Sequence, residues 1–138
     1  MSQLSRQTQH FTLSNPDGLY DPSSNAYSHI AVVPEGKRLV FVAGQVGDTP
    51  KGDFGTQVRQ IFAHIQIAMR AAGGELRDVA KLAVLIVDHD SDKHRVLTTE
   101  IERAFGAGLK PTCTIIPVPL MAYEGQLVEI EAVGVLGR

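Results

Sequence analysis

Two glutamates near the end of the chain, Glu129 and Glu131, are the residues best suited to acid–base chemistry. They lie in residues 127–133, which are otherwise apolar and typical of a buried strand. Because side chains alternate along a strand, both carboxylates share one face, and the other face is wholly apolar. A carboxylate in a partly apolar site can have its pKa raised toward proton-transfer work. A solvated outer face explains the pair equally well, so both interpretations stay open at this point.

Strands and helices must position this pair. Residues 1–26 are predicted to be an N-terminal loop region, dense in turn formers, and residues 34–37 a hairpin connection between the first two strands. Asp53 is a predicted helix N-cap, Gly73 and Gly74 a helix stop, and Ser91 or Asp92 the cap of a second helix. The predicted strands are 27–33, 38–46, 81–87, 112–118 and 126–135, and the predicted helices are 53–72 and 91–105.

This order predicts a single α+β domain spanning residues 1–138, with two helices on one face of a single sheet. The second sheet face would then be bare. Strands this apolar cannot leave a whole face in water, because contiguous exposed apolar patches usually mark interfaces. We therefore expect a closed, symmetric homo-oligomer formed through the sheet.

Composition excludes several classes of protein. A formal net charge of -2 gives no electrostatic footprint for nucleic acid, and no stretch approaches a membrane span. The polar N-terminal residues lack the apolar core of a secretory signal, so a cytoplasmic protein is expected. Cys113 is the only cysteine, which rules out an intramolecular disulfide and a multi-cysteine zinc site.

Three other features have residue types used in catalysis, but each is better explained structurally. Residues 88–94 contain histidines and carboxylates, yet they lie where a strand turns into a helix and capping is favoured. His64 falls on the first helix and is expected at the surface or boundary. Cys113 precedes a β-branched strand and is expected to be a buried, neutral thiol. No metal or cofactor is predicted.

Taken in order, these pieces resemble the RidA/YjgF family of small trimeric enamine and imine deaminases. The matching stretches are 27–32, 39–46, 53–57, 71–74, 110–114 and 128–132. The resemblance implies a chorismate-mutase-like fold in which three sheets form a central barrel with the helices outside. It also implies a homotrimer with small-molecule clefts between subunits, and cofactor-free hydrolysis of imines in the catalytic branch.

The resemblance also assigns roles to residues. Tyr27 matches the family's cleft tyrosine, Gly44 the glycine of the cleft strand, and Glu131 the water-activating glutamate. Ala43 stands where a serine is common. Thr114 matches the Ser/Thr that ends the family's Pro-Ala-Arg-Ser/Thr motif.

Cys113 is the chief departure, because it stands where the catalytic branch has an arginine that binds the substrate carboxylate. A neutral or cationic substrate, rather than an anionic 2-imino acid, is therefore expected. The alternative is a non-catalytic metabolite-binding or regulatory trimer. Ribonuclease activity, reported for some relatives, finds no support in the charge balance. The cations that could replace the arginine are Arg95, Arg103 and Lys110.

Overall fold

The computed structural model of the chain describes residues 4–7, 10–48 and 52–138, with the backbone alone for residues 4–7. Two short 3-10 turns, Ser23–Asn25 and Leu76–Asp78, accompany the main elements. The strands are β1 (Leu4–Gln7), β2 (Thr12–Asn15), β3 (Ile30–Val32), β4 (Arg38–Gln45), β5 (Val79–Val87), β6 (Thr112–Val118) and β7 (Val128–Leu136), and the helices are α1 (Phe54–Ala71) and α2 (Ser91–Phe105).

The main sheet has four strands in the order β4-β7-β5-β6. Strands β5 and β6 run parallel, whereas β7 is antiparallel to both of its neighbours, so the sheet is mixed. Parallel pairing of β5 and β6 requires a crossover, which α2 supplies. The buried side chains of α1 and α2 share one hydrophobic core with β5 and β7. The predicted α+β class, with two helices on one face of a mixed sheet, is confirmed.

Local signals predicted the helix ends with one exception. The Asp53 carboxylate caps α1 by accepting a hydrogen bond from the Thr56 N–H at 3.0 Å. Gly73 follows α1 with a φ of 100°, a left-handed conformation that ends the helix, as predicted. Helix α2 is capped by Asp90 instead of Ser91 or Asp92, because the Asp90 side chain accepts from the Lys93 N–H at 2.8 Å.

The N-terminal region differs from its prediction as a loop. Strands β1 and β2 lie within residues 1–26 and pair with β3 in a second, three-stranded sheet. The predicted hairpin at residues 34–37 is therefore wrong, since β3 pairs with β2, and β4 pairs with β7. The physical reason is burial: Phe11 and Leu13 are only 1% and 3% exposed and pack against the main sheet.

The face of the main sheet that points away from the helices is called the open face below. Its β4 residues Leu39 and Phe41 are 51% and 76% exposed, and Ile116 on β6 is 42% exposed. The small sheet packs against the end of this face near Val135. In the described part of the chain, neither helix is long and apolar enough to span a bilayer.

Candidate functional site

Strand β7 alternates as its sequence predicts. Val128 and Ile130 are fully buried beneath the helices. Glu129 and Glu131 point to the open face, where Glu129 is half-buried and Glu131 is exposed. The two carboxylates therefore share a face but not an environment.

Gly44 provides the space in which Glu129 lies. The pairing of β4 with β7 shifts register between Val42 and Gln45, which is the mark of a bulge or irregularity beside Gly44. A Cβ atom placed on Gly44 would collide with the Glu129 carboxylate and would lie 2.8 Å from its Cγ. The neighbouring Ala43 is exposed, and its carbonyl oxygen accepts from the Gln45 side chain at 3.0 Å. The structure thus brings Glu129, rather than Glu131, against the predicted cleft glycine.

Glu131 lies in a row across the open face. It is opposite Ala83 on β5, which in turn is opposite Thr114 on β6. Two strand spacings separate Glu131 from Thr114 at the backbone, or roughly 10 Å. Lys81 points to the same face one row away, so a cation accompanies Glu131 on this surface.

A cavity of about 290 Å³ lies between β6, α2 and the segment around Tyr27, and is called the β6 cavity below. Ser28 positions Tyr27, because the Ser28 N–H donates to the Pro111 carbonyl at 3.1 Å and Ser28 forms a bridge to Thr112. The lining residues are Asn25, Tyr27, His94, Leu97, Thr98, Ile101, Cys113, Thr114 and Ile115.

Cys113 in this cavity is a neutral thiol, as predicted. Burial raises its pKa from 9.0 to about 12, because desolvation disfavours the thiolate. Cys113 pairs across the sheet with Leu82, on the helix side, and packs against the main core. Leu82 also pairs with Ala132 on β7, so Cys113 and Ala132 point to the same, helix-side face. Glu131 precedes Ala132 along the strand and therefore points to the opposite face of the sheet.

The cations considered as replacements for the missing arginine are bound elsewhere. Arg95 pairs with Asp92 at 2.8 Å on the exposed side of α2. Arg103 pairs at 3.0 Å with the buried Glu100. The remaining candidate, Lys110, donates to the Gly108 carbonyl and pairs with Glu102. Among the described residues that line the β6 cavity there is no Asp, Glu, Lys or Arg.

His94 is the lining residue that sequence reasoning assigned only to a capping segment. It lies on α2 four residues before Thr98, and this spacing places both side chains on one helix face. The His94 and His89 rings make an edge-to-face contact with centroids 6.1 Å apart. In the ranges that the structure describes, no group of three or more His, Cys, Asp or Glu residues could hold a metal ion. The helical spacing with Leu97 and Ile101 was the signal that could have identified His94.

Comparison with known proteins agrees with this fold. The family model described as Endoribonuclease L-PSP matches residues 20–136. A RutC family protein of Pyrococcus horikoshii, PH0854, is 34% identical over 102 residues, which is 69% of this chain and 77% of that protein.

Solved structures give the same result. The Rid family protein YyfB of Yersinia pestis superposes with a TM-score of 0.81 at 25% identity, covering 99% of this chain and 100% of that one. Rv2704 of Mycobacterium tuberculosis, from the YjgF/YER057c/UK114 family, has a TM-score of 0.63 at 29% identity, covering 88% and 97%. Since the family model matches residues 20–136, which make up most of the chain and end with β7, the chain belongs to the RidA/YjgF family.

Proposed function

We propose that this protein hydrolyses the C=N bond of a small imine or enamine whose substituents carry no negative charge. The observation that carries the proposal is the absence of Asp, Glu, Lys and Arg among the described residues lining the β6 cavity, together with its neutral thiol. A substrate carboxylate entering this cavity would lose its hydration, and the lining residues of the same copy offer it no charged partner. Burial of an unpaired charge is costly, so an anionic 2-imino acid is disfavoured.

The site needs two copies of the chain. Within one copy, Tyr27 and Cys113 lie on the helix side of the main sheet, whereas Glu129 and Glu131 lie on the open face. A second copy packed on the open face would bring its own cavity to these carboxylates. The exposed Phe41 on the same face supports such packing, because a large apolar side chain is stabilised by burial. The assembly proposed is a homotrimer with metabolite clefts between subunits.

The chemistry proposed is hydrolysis assisted by a carboxylate on β7. The carboxylate takes a proton from water while the water oxygen bonds to the imine carbon. The imine nitrogen takes up that proton, which gives a neutral carbinolamine. The carboxylate then carries the hydroxyl proton of the carbinolamine to nitrogen as the C–N bond breaks, so ammonia leaves and a carbonyl compound remains. Tyr27 closes the pocket. No redox step or co-reactant beyond water is required.

Either carboxylate of β7 could be the base. The family resemblance gives the role to Glu131, and the geometry favours Glu129. Glu129 is half-buried and lies over Gly44, where partial desolvation suits proton transfer, whereas Glu131 is exposed. The fold of a single copy thus fixes the position of Glu129, whereas the surroundings of Glu131 depend on the second copy packed on the open face.

Matched variants separate the two. Freshly generated neutral imines are supplied to the wild type, Glu129→Gln and Glu131→Gln, and ammonia release is followed. We expect Glu129→Gln to lose roughly 10²-fold or more of the rate, the usual contribution of general base catalysis, and Glu131→Gln to keep most of it. The reverse result assigns the base to Glu131. Saturable binding without ammonia release across the whole imine panel would instead establish a non-catalytic binding protein.

A further inference from the structure

We propose that His94 is a ligand-binding residue of the β6 cavity, and that it donates a hydrogen bond to the oxygen of an amide or ester carbonyl on the ligand. This inference rests on the proposed function and names the class of molecule bound: an imine that carries an amide or ester carbonyl. The cavity volume of about 290 Å³ suits a molecule of this size.

His94 is the ring donor that α2 brings into the cavity beside Thr98, whereas the Asn25 amide already donates to the Tyr20 hydroxyl at 2.7 Å. The Cys113 thiol is a weak donor and stays protonated because burial raises its pKa to about 12. The opposite wall of the cavity is formed by α2, where His94 and Thr98 face the space and Leu97 and Ile101 make its apolar floor. An imidazole carries an N–H donor in either of its tautomers, so His94 can donate to a neutral carbonyl oxygen.

Packing holds the His94 ring in place. The His89 ring lies edge-to-face with it at 81°, an arrangement favoured for aromatic pairs at this separation. The neighbouring charged side chains are directed elsewhere: the Asp90 carboxylate caps α2, and the Lys93 ammonium donates to the Val87 and Asp88 carbonyls. The contact with His89 therefore orients the His94 ring, and the charged side chains of Asp90 and Lys93 are bound to backbone groups.

The test measures binding, so that it stands apart from turnover. Three stable ketones serve as probes in ligand-observed NMR titrations of the assembled protein: pyruvamide, with a neutral amide carbonyl; pyruvate, with a carboxylate; and acetone, with neither. We expect the wild type to bind pyruvamide more tightly than the other two. His94→Ala should weaken pyruvamide binding by roughly 3- to 12-fold, the range for one neutral hydrogen bond, and leave acetone binding unchanged.

Two further variants complete the design. His94→Gln keeps an N–H donor and should recover part of the loss. His64→Ala is the matched control, because His64 lies on α1, pairs with Asp48 at 2.9 Å and does not line the cavity. A wild type that binds pyruvamide no better than acetone, or a His94→Ala variant that keeps the preference, overturns the assignment. Failure of the proposed function would be seen in a different measurement, as the absence of ammonia release from every imine.

Discussion

The ionisation of Cys113 gives a quantitative prediction about the β6 cavity. Burial raises the pKa of this thiol from 9.0 to about 12. Since the thiolate is the reactive form, about one molecule in 10⁴ is reactive at pH 8, against about one in 10 for an unshifted thiol. The difference of three pH units predicts that iodoacetamide alkylates Cys113 at least about a thousandfold more slowly than an exposed thiol, and restricted access slows it further.

The assay follows alkylation by intact mass between pH 7 and 10, with the urea-unfolded chain as control. Cys113 is the only cysteine, so one mass increment reports on one site. The folded protein should react about tenfold faster for each unit of pH throughout this range, because thiolate remains the minor form below the pKa.

The raised pKa of Cys113 should also make the free energy of unfolding depend on pH. The folded pKa lies above the unfolded one, so unfolding releases a proton once the pH exceeds about 9. The free energy of unfolding should therefore fall as the pH rises from about 9 toward 12, by up to about 1.4 kcal/mol per unit, and Cys113→Ser should lack this component.

Two outcomes would refute this reasoning. A rate that levels off near pH 9 would mean that the thiol ionises like an exposed one. Alkylation at pH 8 within about tenfold of the rate of the unfolded chain would mean that the cavity does not desolvate Cys113. Either result would remove the desolvated surroundings of Cys113 from the argument for an uncharged substrate.

Two other predictions concern substrate charge and assembly. Cys113→Arg should gain about ten- to a hundredfold in hydrolysis of 2-iminobutanoate, since a charge-assisted hydrogen bond contributes about 1.5–3 kcal/mol. Cys113→Ser is the control. Wild-type activity equal to that of Cys113→Arg would contradict the argument for a neutral substrate. Phe41→Asp should yield monomers in analytical ultracentrifugation, whereas Ile67→Asp, at the similarly exposed Ile67 of α1, should leave the assembly intact. An unchanged assembly in Phe41→Asp would exclude this part of the open face as the interface.

The sequence by itself determined the features that depend on local periodicity. The alternation of β7, with Val128 and Ile130 buried and both glutamates opposite, follows from a repeat of two residues. The cap at Asp53 and the helix stop at Gly73 likewise follow from residue type and near neighbours. These features need no knowledge of which strand lies beside which.

Only the tertiary structure decided which residues meet. The pairing of β3 with β2 involves Thr12–Asn15, a short and mostly polar segment with little strand signal. It is stabilised by burial of Phe11 and Leu13 against the main sheet. The placing of Cys113 and Glu131 on opposite faces depends on the register of β6 and β7 through β5. A shift of one residue in either pairing would reverse the face, and local sequence does not determine such registers. His94 reaches the β6 cavity because the α2 crossover packs beside β6, which is again a long-range consequence of the fold.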